Sequence, residues 1–296
     1  MSATAAAAAR PSRAQAWKMA VRLPTLTAAV APVAVGTGAA VGEREFSALP
    51  MLAALFGAIC LQIGANFAND VFDFKRGADT ADRLGPPRAT QMGLLSQREM
   101  LTGMWLVFGL AFIAGIYLVY VGGWPIVAVG LASIVAAVVY TGGPWPIGYH
   151  ALGDVFTFVF FGLVAVMGTY YVQAGELSRV SMVAAIPMGC TVTLILVVNN
   201  LRDIPTDRAT GKATLGVVMG DRGTRWWFAF LLAIAMLVPV AAVTVDIWWG
   251  WIATVVALPF AYRLLRAILG GTEGRALNPV LKETARFNLL FGVVWA

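Results

Sequence analysis

The chain has 296 residues, of which 59% are hydrophobic and 12% charged, with a net charge of +6 and a mean hydropathy of +0.78. It carries about half the charged residues of an average soluble domain, which excludes a water-soluble globule and describes a membrane-embedded body with thin polar loops. The basic excess follows the positive-inside rule and needs no nucleic-acid partner, while Cys60 and Cys190 both fall in apolar runs, where neither a disulfide framework nor a zinc site is suggested.

Residues 1–22 hold an Ala run with Arg10, Arg13, Lys18 and Arg22, and are read as a cytoplasmic tail that turns amphipathic towards its end. The apolar run after it contains Pro24 and Pro32 and is followed by more spans of the same kind, so it reads as an uncleaved first helix rather than a signal peptide. At about 20 residues per crossing, the spans fall near 23–41, 51–72, 99–121, 124–140, 153–174, 181–201, 226–245, 247–269 and 279–296. This predicts an all-α membrane protein of about nine transmembrane helices, in one domain over 23–296. The fourth span is short, between Gly122-Gly123-Trp124-Pro125 and Gly142-Gly143-Pro144, and the ninth carries Lys282, Glu283 and Arg286 in its first turns. Trp248, Trp249 and Trp251 read as interfacial anchors.

With the N-terminus placed in the cytoplasm, 19 of the 21 basic residues fall on that side, leaving only Arg44 and Arg179 opposite. Two polar clusters then end spans on the cytoplasmic face: Asn66-Phe67-Ala68-Asn69-Asp70-Val71-Phe72-Asp73 after the second span, and Asn199-Asn200-Leu201-Arg202-Asp203-Ile204-Pro205-Thr206-Asp207 after the sixth. A helix end rich in Asn, an Asp pair and a basic loop thus recur four spans apart, as in a duplicated four-helix unit.

On a helix, Asn66, Asp70 and Asp73 form one stripe, with Asn69 and Asp73 as i, i+4 neighbours. Asn199, Asp203 and Asp207 repeat that stripe, although Pro205 disfavours continuous helix and places Asp207 just past its end. Either Asp pair alone is also explained by ion pairs with the adjacent Lys75 and Arg76, or Arg202 and Arg208. That reading leaves the Asn residues facing hydrocarbon without a reason, and it does so twice. Carboxylate and carboxamide oxygens suit magnesium, which bridges to substrate phosphates, and the clusters contain no His that would favour softer metals. Lys75, Arg88, Arg202 and Lys212 are then candidates to bind diphosphate oxygens. Asp79 and Asp82 are loop carboxylates, Asp79 the stronger candidate ligand. Asp154 reads as a helix cap, and His150 as an incidental loop histidine.

Asn66-x-x-Asn69-Asp70-x-x-Asp73-x-x-x-Gly77-x-Asp79 resembles the first Asp-rich motif of the UbiA-type intramembrane aromatic prenyltransferases. Asp203-x-x-x-Asp207-x-x-x-Gly211-Lys212-x-Thr214-Leu215 resembles their second. The stretches Gly85-Pro86-Pro87-Arg88-Ala89-Thr90-Gln91, Tyr140-Thr141-Gly142-Gly143-Pro144-Trp145-Pro146 and Gly168-Thr169-Tyr170-Tyr171-Val172-Gln173 look like the 1,4-dihydroxy-2-naphthoate polyprenyltransferases of menaquinone synthesis. The resemblance covers roughly residues 20–290. It implies magnesium held by Asp70, Asp73, Asp203 and Asp207 on a polyprenyl diphosphate, with Asn66, Asn69 and Asn199 in support. It further implies a location in the bacterial cytoplasmic membrane, with lipid around the helices. The aromatic acceptor is placed near Tyr140, Tyr149 and the Gly-Gly-Pro turn. The alternatives are a related enzyme acting on another acceptor such as 4-hydroxybenzoate, and a cation-coupled transporter, whose polar residues would sit nearer the midplane.

Overall fold

The computed structural model describes residues 11–79, 83–245, 247 and 249–296. Asp82, Trp248 and Arg10, named above, lie outside them. Eleven α-helices follow in order: α1 Arg13–Val21, α2 Thr27–Gly42, α3 Ala48–Lys75, α4 Gln97–Gly122, α5 Trp124–Val139, α6 Gly153–Thr157, α7 Gly168–Ala174, α8 Arg179–Ala209, α9 Leu215–Ala241, α10 Gly250–Leu269 and α11 Leu277–Trp295. Phe158–Met167, between α6 and α7, winds as a wider π-helix.

Local chemistry sets many of the ends. Ser12, Ser96 and Ser178 each form a reciprocal capping box, with Gln15, Glu99 and Ser181, and Thr214 caps α9. Arg22, in the left-handed conformation, ends α1. The described part of the N-terminal tail is therefore a helix docked on the body: Ala16 and Ala20 are buried and Trp17 meets Phe67 edge to face at 5.5 Å. Gly220, at φ 70°, breaks α9 one turn after its start, a conformation that costs glycine little and other residues much.

All nine expected spans are helical. Seven segments have the length and hydropathy of a bilayer crossing: Arg13–Gly42, Ala48–Lys75, Gln97–Gly122, Gly153–Ala174, Arg179–Ala209, Leu215–Thr244 and Gly250–Leu269. The 16-residue α5 is shorter, about 24 Å at the helical rise, and α11 keeps its three charges in its first half.

The helix α8 runs through the centre. Two-thirds of its most apolar stretch is buried (67%), against 17% for α4, which turns Leu106, Ile113 and Ile116 outward. Around α8 pack α2, α9, α11 and the π-helix, with α10 packed outside against α9 and α11, while α1, α3 and α4 form a second apolar cluster. Small residues allow close approach without a hydrophobic drive between helices: a Cβ on Gly162 would lie 2.6 Å from Gly189 Cα, and one on Gly36 would lie 2.3 Å from the Val166 carbonyl. The most extensive pairings, α3 with α4 and α8 with α9, are two long-helix pairs, each joined by a loop that follows an Asp motif.

Candidate active site

The first motif occupies the last turns of α3. Asn66 is buried and donates from Nδ2 to the Val21 carbonyl (2.9 Å) and to Thr25 Oγ1 (2.8 Å), tying α3 to the turn after α1. Asn69 Oδ1 accepts from the Thr141 hydroxyl at 3.0 Å. Asp70 accepts from the Thr90 N–H at 3.1 Å, and its second oxygen lies 3.8 Å from Arg22. Asp73, one turn on, accepts from the Tyr149 hydroxyl at 2.8 Å and from Arg88 at 2.8 Å. The helix stops at Lys75, the chain turns, and Asp79 comes back beneath it, buried, 2.7 Å from the same Arg88 nitrogen and 2.5 Å from Arg83.

Arg88 thus bridges two carboxylates. Burial alone would lower its guanidinium, but Asp73, Asp79 and Asp70 outweigh that and raise it, so the charge is fixed. Asp79 is pushed up, because burial exceeds the opposing pull of Arg88 and Arg83. Burial, and then the charge of Asp73, hold the Tyr149 phenol far above its ordinary value, so it stays a hydrogen-bond donor.

The second motif is built differently. Despite Pro205, α8 continues to Ala209, so Asp207 sits on the helix rather than past its end. Pro205 removes a single N–H close to a helix terminus on an exposed flank, and the hydroxyls of Thr206 and Thr210 bond back onto the carbonyls of Asp203, Thr206 and Asp207. Arg202, 1% exposed, grips Asp203 through Nε (2.8 Å) and Nη2 (2.6 Å), and also donates to Asn199 (2.5 Å) and Asn278 (2.9 Å). The Asn278 side chain in turn donates to the Leu84 carbonyl (3.0 Å), and a Cβ on Gly85 would lie 2.7 Å from Arg202 Nη2. Any other residue at 85 would push the loop between α3 and α4 away from this guanidinium.

The two motifs face one cavity of about 40 Å³, lined by Asp73, Ala78, Asp79, Arg83, Arg88, Asn199, Asn200, Asp203, Thr206, Asp207 and Lys212. The Lys212 ammonium lies 5.1 Å from the Tyr149 ring, and the Ala213 N–H bonds the Tyr149 carbonyl (3.1 Å), which joins the second motif's loop to the 141–150 segment. Of the residues expected from sequence, Asp73, Asp79, Asp203, Asp207, Asn199, Arg88 and Lys212 line the cavity. Asn66, Asn69, Asp70 and Arg202 sit behind it, and Lys75 is exposed beside Phe72. Tyr149 reaches it through Asp73, and Tyr140 packs against Gly148 and Gly153. Arg83, Asn200, Thr206 and the supporting Thr90 and Asn278 are not among the site residues expected from sequence, although Asn200 and Thr206 belong to the second polar cluster and Thr90 to the Gly85–Gln91 stretch. Thr206 could have been found, since it extends the Asn199, Asp203 stripe at i+7. Asn278 had no local signal. His150 stacks on Trp145 at 4.0 Å, exposed and clear of the cavity. A larger cavity, about 420 Å³, lies at the other end of α2 between Glu43, Arg179, Trp249 and Trp295, away from both motifs.

Among the described residues, no three carboxylates stand close enough to hold a metal by themselves. Magnesium does not require that, because one or two carboxylates plus substrate phosphates complete its shell. The donors here are all oxygen, they come from both motifs, and Asp79 Oδ2 has no hydrogen-bond donor with good geometry. The set fits a hard divalent cation.

The UbiA prenyltransferase family model matches residues 29–277. The chain belongs to the UbiA prenyltransferase family. A 1,4-dihydroxy-2-naphthoate octaprenyltransferase of Mycobacterium tuberculosis is 40% identical over 280 residues, 95% of this chain and 94% of that protein. The Escherichia coli protein of the same name is 36% identical over 292 residues, covering 96% and 94%. Among solved structures, a UbiA homologue from Aeropyrum pernix in its apo form aligns with a TM-score of 0.69 over 90% of this chain and 94% of that one, at 17% identity. A UbiA homologue from Archaeoglobus fulgidus bound to GPP and Mg2+ aligns at 0.67 over 96% and 99%, at 14% identity. The UbiA fold is thereby shown over 90% or more of the chain.

Proposed function

We propose that this chain transfers a polyprenyl group from its diphosphate to 1,4-dihydroxy-2-naphthoate with loss of the carboxyl group, giving the demethylated menaquinol, in a magnesium-dependent reaction. One observation carries the reading: two carboxylate motifs from separate helix pairs meet in a single buried cavity, with Arg88, Arg83 and Lys212 on its wall. The names of the relatives that match along almost the whole chain support the naphthoate as acceptor. Magnesium, when bound, neutralises the charge that grows on the departing diphosphate. Asp73, Asp79, Asp203 and Asp207 are proposed to hold it, with Asn199 completing the polar wall and Asp70, Asn66 and Asn69 fixing the end of α3.

The chain's own residues supply the rest. A 40 Å³ cavity holds a few waters but no diphosphate, so Arg88 must leave its two carboxylates when the donor enters. Once turned, it binds phosphate oxygens together with Lys212 and stabilises the leaving charge. The apolar helices around the site exclude water from the allylic cation, and the long tail stays in lipid. The ring carbon attacks C1 of the prenyl chain. Loss of carbon dioxide from that same carbon restores aromaticity. Tyr140 and Tyr149, beside the Gly-Gly-Pro turn, are proposed to flank the ring. The basic-residue distribution supports nine crossings, a cytoplasmic N-terminus and a site open to the cytoplasm, in the bacterial cytoplasmic membrane.

The test is acceptor choice. Purified protein with magnesium, a polyprenyl diphosphate and 1,4-dihydroxy-2-naphthoate is expected to release carbon dioxide and form a prenylated naphthoquinol. With 4-hydroxybenzoate, attack ortho to the hydroxyl would leave the carboxyl in place. Efficient prenylation of that acid, and none of the naphthoate, would refute the acceptor and leave the metal site standing.

A further inference from the structure

Asp154 lies in the first turn of α6, where the sequence suggested a helix cap; the cap position is Leu152, and Asp154 points inward at 3% exposure. Trp227 on α9 donates its indole N–H to Oδ1 at 3.2 Å. The other oxygen, equally shut off from solvent, meets no hydrogen-bond donor among the described residues. Asp73, Asp79 and Asp203 each meet a guanidinium; among the described residues Asp154 meets none. A buried carboxylate without a cation is costly, and an indole N–H would be served as well by a carboxamide or a carbonyl. A place in the first turn of the Gly153–Ala174 helix favours a negative charge there, but it leaves the free oxygen without a use, and an ionisable group held in a membrane helix points to function.

Its neighbourhood says which function. A Cβ on Gly153, the preceding residue, would lie 2.7 Å from Tyr140 Oη, so the phenol oxygen rests on the backbone next to Asp154. Tyr140 also packs against Gly148, the neighbour of the Tyr149 that bonds Asp73, so its ring lies between the 141–150 segment bonded to the first motif and the backbone beside Asp154. Downstream, the π-helix Phe158–Met167 widens the turn that follows α6, the kind of irregularity that often re-aims functional residues.

We propose that Asp154 is the acceptor-side base: its free oxygen takes the proton of the ring hydroxyl as the new carbon–carbon bond forms, and returns it after decarboxylation. This rests on the aromatic prenyl transfer proposed above. The O–H electron pair becomes the ring C=O, a ring π pair forms the bond to prenyl C1, and the C1–O pair leaves with the diphosphate. Carbon dioxide then departs, its bonding pair restores the aromatic ring, and the resulting oxyanion recovers the proton from Asp154. No proton is gained or lost overall, which suits a group sealed from water.

The decisive variant is Asp154→Asn, which keeps an oxygen for Trp227. Turnover of 1,4-dihydroxy-2-naphthoate is expected to fall about 100-fold or more, within the range for loss of a general base, with the KM for the prenyl diphosphate and the melting temperature near those of the unmodified protein. A ring-halogenated naphthoate, whose hydroxyl is already ionised at the assay pH, is expected to recover most of the lost rate in Asp154→Asn while gaining little in the unmodified protein. Asp154→Glu should retain more activity than Asp154→Asn. A rate within threefold of the unmodified protein in Asp154→Asn would overturn the proposal. So would a loss that the ionised acceptor leaves uncorrected, which marks a purely structural carboxylate. If the unmodified protein prenylates 4-hydroxybenzoate instead, the acceptor reading has failed, and the same comparison of ionised and neutral phenols on that acid judges Asp154 independently.

Discussion

The two Asp motifs resemble each other in sequence yet secure their carboxylates in opposite ways. In the first, α3 ends at Lys75 and the acids are spread over helix and loop, so that a distant residue, Arg88, must reach back to bridge Asp73 and Asp79. In the second, α8 carries both acids to Ala209, and the clamp is the adjacent Arg202, locked from behind by Asn199 and Asn278. One cation is arranged to move and the other to stay. Arg88 lines the cavity and is proposed to turn to the diphosphate, whereas Arg202 has every direction already taken. Equivalent motifs therefore need not divide their labour equally between metal, diphosphate and scaffold.

The largest expected effects come from the carboxylates. Asp73→Ala, Asp203→Ala and Asp207→Ala should each lower turnover by about two orders of magnitude or more, as loss of charge stabilisation does. Asp207→Ala, which loses a hydrogen bond to Thr214, should melt near the usual temperature, while Asp73→Ala and Asp203→Ala strand Arg88 and Arg202 and should melt lower. Asp70→Ala should match them in turnover and also melt lower, since it strands the Arg22 guanidinium 3.8 Å away. Near-normal activity in two of the four would break the two-motif site.

Arg202→Met sharpens the contrast between fixed and mobile cations. Removing one partner of a buried pair is expected to cost about 3 kcal/mol of stability, visible as a lower melting temperature. Arg88→Met strands Asp73 and Asp79 and should melt lower as well, but it should in addition lose affinity for the prenyl diphosphate, which Arg202→Met should keep. The reverse pattern would exchange the two assignments.

Smaller again is Tyr149→Phe, which removes the 2.8 Å hydrogen bond to Asp73. A bond to a charged group is worth about 1.5–3 kcal/mol, so a decrease in kcat of tenfold or more is expected, with the ring still present to face Lys212 and the acceptor. An unchanged kcat would mean that Asp73 is held by Arg88 alone. Finally, sidedness: in a background without Cys60 and Cys190, single cysteines near residues 76 and 212 should react with impermeant reagents from the cytoplasm only. Labelling from the opposite face would reverse the orientation drawn from the basic residues.

Hydropathy alone made the all-helical membrane body legible, because a chain in lipid must satisfy its backbone within each segment; of the nine spans expected, seven have the length and hydropathy of a crossing among the described residues. The period of the helix brought Asn199, Asp203 and Asp207 onto one stripe, and the same logic correctly paired Asp70 with Asp73 in one motif. It could not tell which side of that stripe faces the cavity. Asp70 and Asp73 are three residues apart, close enough to share a helical face, yet only tertiary contacts turn one towards the Thr90 N–H and Arg22 and the other towards Arg88. Pro205 misled for a related reason, since losing a single N–H near a helix end costs too little to stop a helix that packs along most of its length against α9, α11 and the π-helix. What the sequence determined was which residues are costly in a membrane and so must have a purpose. Which of them meet, which serve as scaffold and which, like Asp154, are left unpaired was decided by helices far apart in the chain, because burial and pairing are properties of the packed bundle and of no single segment.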